Sequence, residues 1–218
     1  MKAYDFNRCF DYENGFYLTS SVSRMGKLLA QYELYKTIVP RPGHIIECGV
    51  FKGASLVRWA TFRELLESPY AREIIGFDTF DAFPESEDPV EQSYVDKFTA
   101  AAGSFSLDTK RLQEILSFKN ITNVTLVEGD INHTVPEYVR RYPHLKIALL
   151  HIDTDLYKPA ATAFRVLYDH VVSGGIIVLD DYGTFPGETR AVDEFLNDSA
   201  LKIEKLTLNH IPAFIRKP

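Results

Sequence analysis

The sequence predicts an α/β fold, with a mostly parallel sheet, helices on both faces and an antiparallel hairpin at the carboxyl end. Three observations carry this. Strand and helix patterns alternate from residue 44 onward. Two apolar runs, Ile147–Leu150 and Ile176–Leu179, lack polar alternation and so read as strands buried on both faces. Each is followed by a pair of aspartates, Asp153 and Asp155 in one case and Asp180 and Asp181 in the other. The carboxyl ends of parallel strands are where open α/β sheets bind ligands.

Taken in order, His44–Gly49 is a strand and Ala54–Ser68 a helix that can turn Leu56, Trp59, Ala60 and Leu65 to a core. Ile74–Asp78 is the second strand. The segment from Thr79 to about Thr109 is long, irregular and rich in Pro, Ser, Asp and Glu, with a helix over Val90–Ala102. Its length without a core pattern suggests a lid over residues 79–109. Asp108 caps a helix running through Ser117. Val124–Glu128 is a strand and Val135–Arg141 a short helix. Ile147–Asp153 is the next strand, and Pro159 opens a helix to about Val172. Gly174-Gly175 is read as a turn into the strand Ile176–Asp180. Gly187–Asn197 is helical, and Leu201–Thr207 with Ala213–Lys217 alternates as a terminal hairpin. These strands number seven.

Residues 1–43 stand apart as an aromatic and helical cap on the domain formed by 44–218. Tyr4, Phe6, Phe10, Tyr12, Phe16 and Tyr17 precede a helical stretch over Ser23–Val39. Such density outside the sheet suits a pocket wall, a subunit contact or a satellite core, and a homo-oligomer is expected.

Composition narrows the function. A chain of 218 residues with 45% hydrophobic content is one globular domain, or one domain with a cap. A net charge of −6 argues against a nucleic-acid partner, which needs clustered Lys and Arg. No run approaches the ~18 apolar residues of a membrane span, and the opening residues lack a signal-peptide core. The expectation is therefore a cytoplasmic protein. Its Asn-x-Ser/Thr triplets are chance matches in that setting. Cys9 and Cys48 make no disulfide framework, and Cys48 belongs to the core.

The two aspartate pairs are the strongest chemical signal. Clustered carboxylates repel, so a cation or shared proton is expected. A hard divalent ion with oxygen ligands would relieve the repulsion. Turn capping by Asp180 and Asp181 would explain one pair but not the recurrence at two strand ends. A second signal lies earlier. The first strand ends in Glu47-Cys48-Gly49-Val50-Phe51-Lys52-Gly53, which is neither the dinucleotide glycine pattern nor a phosphate loop. Asp78 ends the second strand, where it can accept hydrogen bonds from a ribose diol. Asp130 follows the third. Acidic groups at three strand ends suit a nucleoside carrying positive charge, such as a sulfonium.

With these motifs in view, the chain resembles the macrocin O-methyltransferase family. The resemblance runs over roughly residues 24–196 and is carried by E-C-G-V-F-K-G-A-S, G-F-D-T-F-D-A-F-P-E, V-E-G-D-I-N-H-T-V-P, H-I-D-T-D-L-Y and L-D-D-Y-G. It implies a Rossmann-like class I methyltransferase fold, S-adenosylmethionine as cofactor, Mg²⁺, and a hydroxylated small-molecule acceptor, a deoxysugar above all. By this resemblance Asp153, Asp180 and Asp181 would hold Mg²⁺ and Asp155 would be the general base. Glu47, Gly49 and Gly53 would border the cofactor, Asp78 would bind its ribose and Asp130 would lie near its adenine. Asp81-Ala82-Phe83-Pro84 departs from the usual acidic-Gly-Leu-Pro.

Methyl transfer from a sulfonium requires an aligned acceptor oxygen and removal of its proton. A divalent ion lowers the hydroxyl pKa and fixes its position, and a nearby carboxylate can take the proton. On residue grounds alone either Asp153 or Asp155 could be that base. His151 and His133 titrate near neutrality, but His151 reads as a packed core imidazole and His133 as a solvated loop residue. Tyr157 and Tyr182 either bond carboxylates around the site or pack on the sheet edge. Arg24 and Lys52 either meet an anionic acceptor or are surface charges. Two other functions compete: methylation of a catechol or other phenol, and a non-catalytic nucleoside-binding module.

Overall fold

The computed structural model describes residues 4–197 and 199–218. Among these, seven strands form one sheet: β1 (His44–Cys48), β2 (Ile74–Asp78), β3 (Val124–Glu128), β4 (Ile147–Ile152), β5 (Val171–Leu179), β6 (Ile203–Lys205) and β7 (Ala213–Arg216). Their spatial order is β3-β2-β1-β4-β5-β7-β6. β3, β2, β1, β4 and β5 are mutually parallel, while β7 pairs antiparallel with both β5 and β6. The expected α/β architecture and its hairpin are both present.

The helices are α1 (Cys9–Thr19), α2 (Val22–Ile38), α3 (Ala54–Leu66), α4 (Pro89–Ala102), α5 (Thr109–Phe118), α6 (Ile131–Arg141), α7 (Tyr157–Leu167) and α8 (Pro186–Leu196). Strand side chains alternate between faces, and the sequence fills both with apolar groups. Ile46, Cys48, Ile75, Phe77, Leu150 and Ile152 pack with α6, α7 and α8. Ile45, Ile74, Leu149, Ile176 and Val178 pack with α2, α3 and α5. Trp59 is fully buried in this second layer. Because the sheet is covered on both faces, its polar business is confined to the strand ends.

Order reverses between β1 and β4, which are adjacent although β2 and β3 intervene in sequence. A crevice opens at such a switch point. Here it is pinned by close backbone contact. A Cβ on Gly49, whose φ is +90°, would lie 1.8 Å from the Asp153 carbonyl oxygen, so only glycine lets the turn after β1 meet the end of β4.

Four expectations need correction. Gly174-Gly175 is not a turn but lies inside β5, which begins at Val171. Gly174 takes φ +73°, and the pairing of β5 with β4 shifts register between Ile147 and Leu149, so the glycines absorb an irregularity within a continuous strand. The helix before β5 correspondingly ends at Leu167, followed by a 3-10 turn over Tyr168–His170. α6 begins at Ile131 rather than Val135. Asp130 caps it by accepting from Asn132 N, and burial of Ile131 and Val135 outweighs the helix-breaking Pro136. Finally, the stretch 79–109 is less irregular than its composition suggests. Ala82 bridges Phe105, the Ser106 N–H donates to the Asp81 carbonyl at 2.8 Å and Phe83 N–H to the Ser104 carbonyl at 2.8 Å. The excursion therefore leaves and re-enters through one narrow neck, with α4 at its outer end. Edge-to-face and tilted contacts among Phe51, Phe83, Phe98 and Phe185 hold it against the main body.

Candidate active site

A cleft of about 1520 Å³ opens at the carboxyl ends of β1, β2, β4 and β5 and is walled by α2 and the 83–98 excursion. Both aspartate pairs line it, as do Gly49, Asp78 and Asp130. At its floor, carboxylate oxygens of Asp153, Asp180 and Asp181 all lie within 4.8 Å of one another. Asp180 and Asp181 are buried and Asp153 is half-buried. The donor set is oxygen-only, which suits Mg²⁺ or Ca²⁺. Oδ2 of Asp181 is buried without a hydrogen-bond partner, the state a hard cation would relieve. By both tests the residues fit a divalent ion.

Glu47, His151 and Asp153 form a second close group, but its imidazole is already engaged on both nitrogens. His151 Nε2 faces Asp180 Oδ1 at 3.3 Å and Nδ1 faces Glu47 Oε1 at 3.5 Å. Burial opposes charge on this ring, but bonds to Asp180 and Glu47 prevail and push its pKa up to about 10. The Trp59 indole N–H, 3.3 Å from Nδ1, would instead favour a neutral ring. Two carboxylates outweigh one neutral donor, and we take His151 as an imidazolium. It is thus a packed core histidine, as expected, and also a link between the β1 and β5 strand ends.

The charges of the floor are unevenly settled. Burial opposes the negative charge of Asp180, yet Lys27 and His151 hold its pKa below the usual carboxylate range. Lys27 reaches in from α2 and bonds Asp180 Oδ2. Burial and the neighbouring charge of Asp180 raise Asp153 to about 7. Asp155 is pushed well above the ordinary value by burial and by Asp153 and Glu188. Asp181 is pushed up likewise, by burial and by Asp155. This many like charges in a dry pocket favour retained protons until a cation arrives.

Asp155 occupies a left-handed backbone conformation with φ +59°, a strain that non-glycine residues bear chiefly at functional sites. Glu188 supports it. This fully buried residue of α8 donates its backbone N–H to the Asp155 carbonyl at 3.1 Å. Its side chain accepts from Asp181 N at 3.0 Å and from Thr154 N at 3.2 Å. One carboxylate therefore sets both aspartate loops. Burial and the charge of Asp181 raise its own pKa well above normal.

On the other side of the cleft Asp78 fixes the turn after β1. Its Oδ2 accepts from Val50 N at 2.8 Å and Phe51 N at 2.9 Å, and its Oδ1 from Phe80 N at 2.7 Å. The Thr79 hydroxyl lies 3.4 Å from Oδ1, so the chain itself occupies the roughly four acceptor positions of this carboxylate, and a ligand hydroxyl would take the place of Thr79. Asp130 is exposed at the cleft edge.

Glu47 and Gly53 do not reach the cleft wall. Glu47 is fully buried behind it, held by Ser55 and His151. Gly53 has φ +76°, and a Cβ there would lie 2.7 Å from Leu112 Cδ1, so packing on α5 explains this glycine. Tyr157 and Tyr182 bond Glu194 and Asp193 of α8 at 2.5 and 2.9 Å rather than the aspartate pairs. His133 is exposed on α6, not in a loop. Arg24 and Lys52 both line the cleft, and Lys52 also bonds the Phe105 carbonyl.

Two participants escaped the sequence reading. Lys27 carries no local mark, because a lysine on an amphipathic helix normally faces water. Glu188 sits in the first turn of α8 after Pro186, where an acid is expected on helix-dipole grounds alone.

The family model for macrocin-O-methyltransferase (TylF) matches residues 23–217. Demethyldecarbamoylnovobiocin O-methyltransferase of Streptomyces niveus is 25% identical over 179 residues, which cover 77% of this chain and 63% of that protein. The chain thus spans less than two thirds of the length of this relative. Among solved structures, the calicheamicin methyltransferase CalS11 is 31% identical with a TM-score of 0.77, covering 95% of this chain and 84% of that one. The O-methyltransferase NovP shares the fold at 20% identity and a TM-score of 0.73, over 88% of this chain and 79% of that one.

Proposed function

The chain belongs to the macrocin O-methyltransferase family, and from that premise we propose that it is an S-adenosylmethionine- and Mg²⁺-dependent O-methyltransferase acting on a deoxysugar hydroxyl. The carrying observation is the trio Asp153, Asp180 and Asp181, whose oxygens lie within 4.8 Å of one another at the floor of the cleft. The sugar reading draws support from CalS11, described as a TDP-rhamnose 3'-O-methyltransferase and 28% identical over 95% of this chain in a second, apo structure.

When bound, S-adenosylmethionine supplies the methyl group, and Mg²⁺ held by Asp153, Asp180 and Asp181 acidifies and orients the acceptor hydroxyl. The protein's own residues do the rest. Asp78 accepts a ribose hydroxyl while fixing the β1 turn, and Asp130 borders the adenine end. Glu47 acts from behind the wall, through His151. Gly49 keeps the cofactor half and the aspartate half of the cleft in contact. Asp155 accepts the acceptor's proton on its carboxylate. Burial and the charges of Asp153 and Glu188 raise its pKa above the ordinary carboxylate value, which makes it a stronger base. The 79–109 excursion excludes water as a lid, and the 1–43 cap closes the acceptor side with α2.

Around this core we place a homo-oligomer, because α1 buries none of its residues and exposes Phe10, Tyr17 and Leu18. Among the described residues no helix is long and apolar enough to cross a membrane, and the cytoplasm is the setting we assign. No nucleic-acid partner is included, in keeping with the charge of −6.

The test is release of S-adenosylhomocysteine, followed by mass spectrometry, with a nucleotide-linked deoxysugar or with catechol as acceptor, and with Mg²⁺ or excess chelator. Turnover of the sugar that stops in chelator and returns with Mg²⁺ is expected. Undiminished turnover in chelator would remove the metal, and turnover of catechol alone would replace the acceptor.

A further inference from the structure

We propose that Lys27 is a resident cation that fills the aspartate cluster in the metal-free protein and is expelled on metal loading, so that helix α2 senses the metal state. This positioning role rests on the metal reading above.

The inference starts from an ion pair between distant parts of the chain. Lys27 lies on α2, outside the strand-and-loop framework that carries the aspartates. Its side chain is only 16% exposed, and it contacts Asp180, which is 3% exposed. An ammonium is a strongly hydrated group whose burial costs much unless it is paired. Asp180 provides the compensation by bonding it directly, and carboxyl oxygens of Asp153 and Asp181 lie close to those of Asp180.

The same three residues are the candidate metal ligands. Asp180 is the shared point of conflict. Its Oδ1 faces His151 and its Oδ2 is taken by Lys27. A divalent ion at this carboxylate would share it with an ammonium, a repulsion that a low-dielectric floor enlarges. One of the two cations must leave. Lys27 has a flexible stem and open cleft beside it, and it lines that cleft.

The packing of α2 shows where its departure would be felt. The carboxyl half of the helix is anchored by buried Leu34, Tyr35 and Ile38. The amino half exposes Val22 at 90% and Leu29 at 41%. Apart from Lys27, its ties are buried Ala30, half-buried Met25 and Leu28, and two polar or backbone contacts. Asn209 donates to the Ser23 carbonyl at 3.0 Å, and Gly26 sits against Leu208. α1 precedes it with no buried residue. The Lys27–Asp180 pair is thus the ion pair that ties this half-helix to the sheet, and breaking it loosens the wall on the acceptor side of the cleft.

The experiment uses the full chain stripped by chelator. Mg²⁺ affinity is measured by titration calorimetry for wild type, Lys27→Met, Lys27→Gln, Lys27→Arg and Arg24→Met. Hydrogen exchange of residues 9–31 is followed with and without Mg²⁺. Loss of one charge-assisted bond that competes with the metal should tighten Mg²⁺ binding by about 10–100-fold in Lys27→Met and Lys27→Gln. Lys27→Arg, which keeps the charge, should bind no tighter than wild type. Arg24→Met removes a positive charge one turn away without touching the cluster, and it should change affinity far less. Mg²⁺ should raise exchange across 22–31 in wild type, and in the neutral variants exchange should be high from the outset. Equal or weaker Mg²⁺ binding in both neutral variants, with wild type still binding, overturns the proposal and leaves the metal reading standing. Unchanged exchange on loading overturns the coupling to α2. Binding in none of the proteins overturns both readings.

Discussion

Replacing Glu188 tests whether a single buried carboxylate organises both aspartate loops. In Glu188→Ala the N–H groups of Asp181 and Thr154 lose their acceptors, which now sit at 3.0 and 3.2 Å. An unsatisfied buried donor costs ~1–3 kcal/mol, so two cost ~2–6 kcal/mol. Against this, wild-type Glu188 bears the penalty of a buried acid with its pKa well above normal, and deletion relieves part of it. The net loss should fall towards the lower end, ~2–3 kcal/mol. In a chain of this size that is a fall in Tm of roughly 4–12 °C. Glu188→Gln preserves shape and one acceptor oxygen, but turns an amide N–H₂ towards one backbone donor. It should lose about half as much as alanine. The assay is urea unfolding in chelator, followed by tryptophan fluorescence and circular dichroism, with the m-value checked for constancy. Both variants should also bind Mg²⁺ more weakly, because the backbone N–H groups of Asp181 and of Thr154, the neighbour of Asp153, lose their acceptors. Stability of Glu188→Ala within ~0.5 kcal/mol of wild type, the range of an ordinary surface change, would refute the reasoning.

Asp155→Asn should fold well, since asparagine tolerates the left-handed backbone found there; Mg²⁺ affinity should persist while turnover falls by ~10²–10⁴, and normal turnover at neutral pH would transfer the role of base elsewhere. Gly49→Ala forces a Cβ to within 1.8 Å of the Asp153 carbonyl; backbone strain of ~1–3 kcal/mol plus displacement of Asp153 should lower Tm and weaken both cofactor and Mg²⁺ binding, and an unshifted Tm would contradict the contact. The pH dependence of the metal-free protein has a definite sign. The folded pKa of Asp153 is raised to about 7, and that of an unfolded aspartate is ~3.9, so the native state holds the proton over this window. Stability from this group is full below pH ~4 and is lost as pH rises through about 7, at up to ~1.4 kcal/mol per unit. Saturating Mg²⁺ should flatten the slope in thermal melts between pH 5 and 8, and a metal-free slope of the opposite sign would contradict the raised pKa of Asp153.

Much of the site was legible because parallel strands write their ends into the sequence. Ile147–Leu150 and Ile176–Leu179 announce buried strands, and the residues just after them must lie at one edge of the sheet. Asp153, Asp155, Asp180 and Asp181 meet there, as does Asp78, and their convergence in one cleft comes from strand order. Gly49 was also marked, but for a different reason than the one found. Its freedom serves the contact with Asp153, not only the approach of a ligand. Glu47 and Gly53 show the limit of the same logic. They share the motif, yet one faces behind the wall and the other packs on Leu112, and a linear pattern does not state which side of a turn a residue faces. Gly174-Gly175 misled for a related reason. Two glycines signal a break, whereas here bonds from Gly174 N–H to the Lys217 carbonyl and from Lys217 N–H to the Gly175 carbonyl carry the strand through them.

The sequence by itself determined the fold class, the seven strands and the acidic strand ends, because these depend on local periodicity and on the position of residues relative to apolar runs. Only the tertiary structure decided the partners of those acids. Lys27 is 153 residues from Asp180, His151 joins Glu47 to Asp180 across two strands, and Glu188 gathers Thr154 and Asp181 from another helix. Burial of an ion is tolerated only where a counter-charge or donor arrives from elsewhere in the chain. Which residue arrives is settled by how helices pack on the sheet, and no window of sequence contains that geometry.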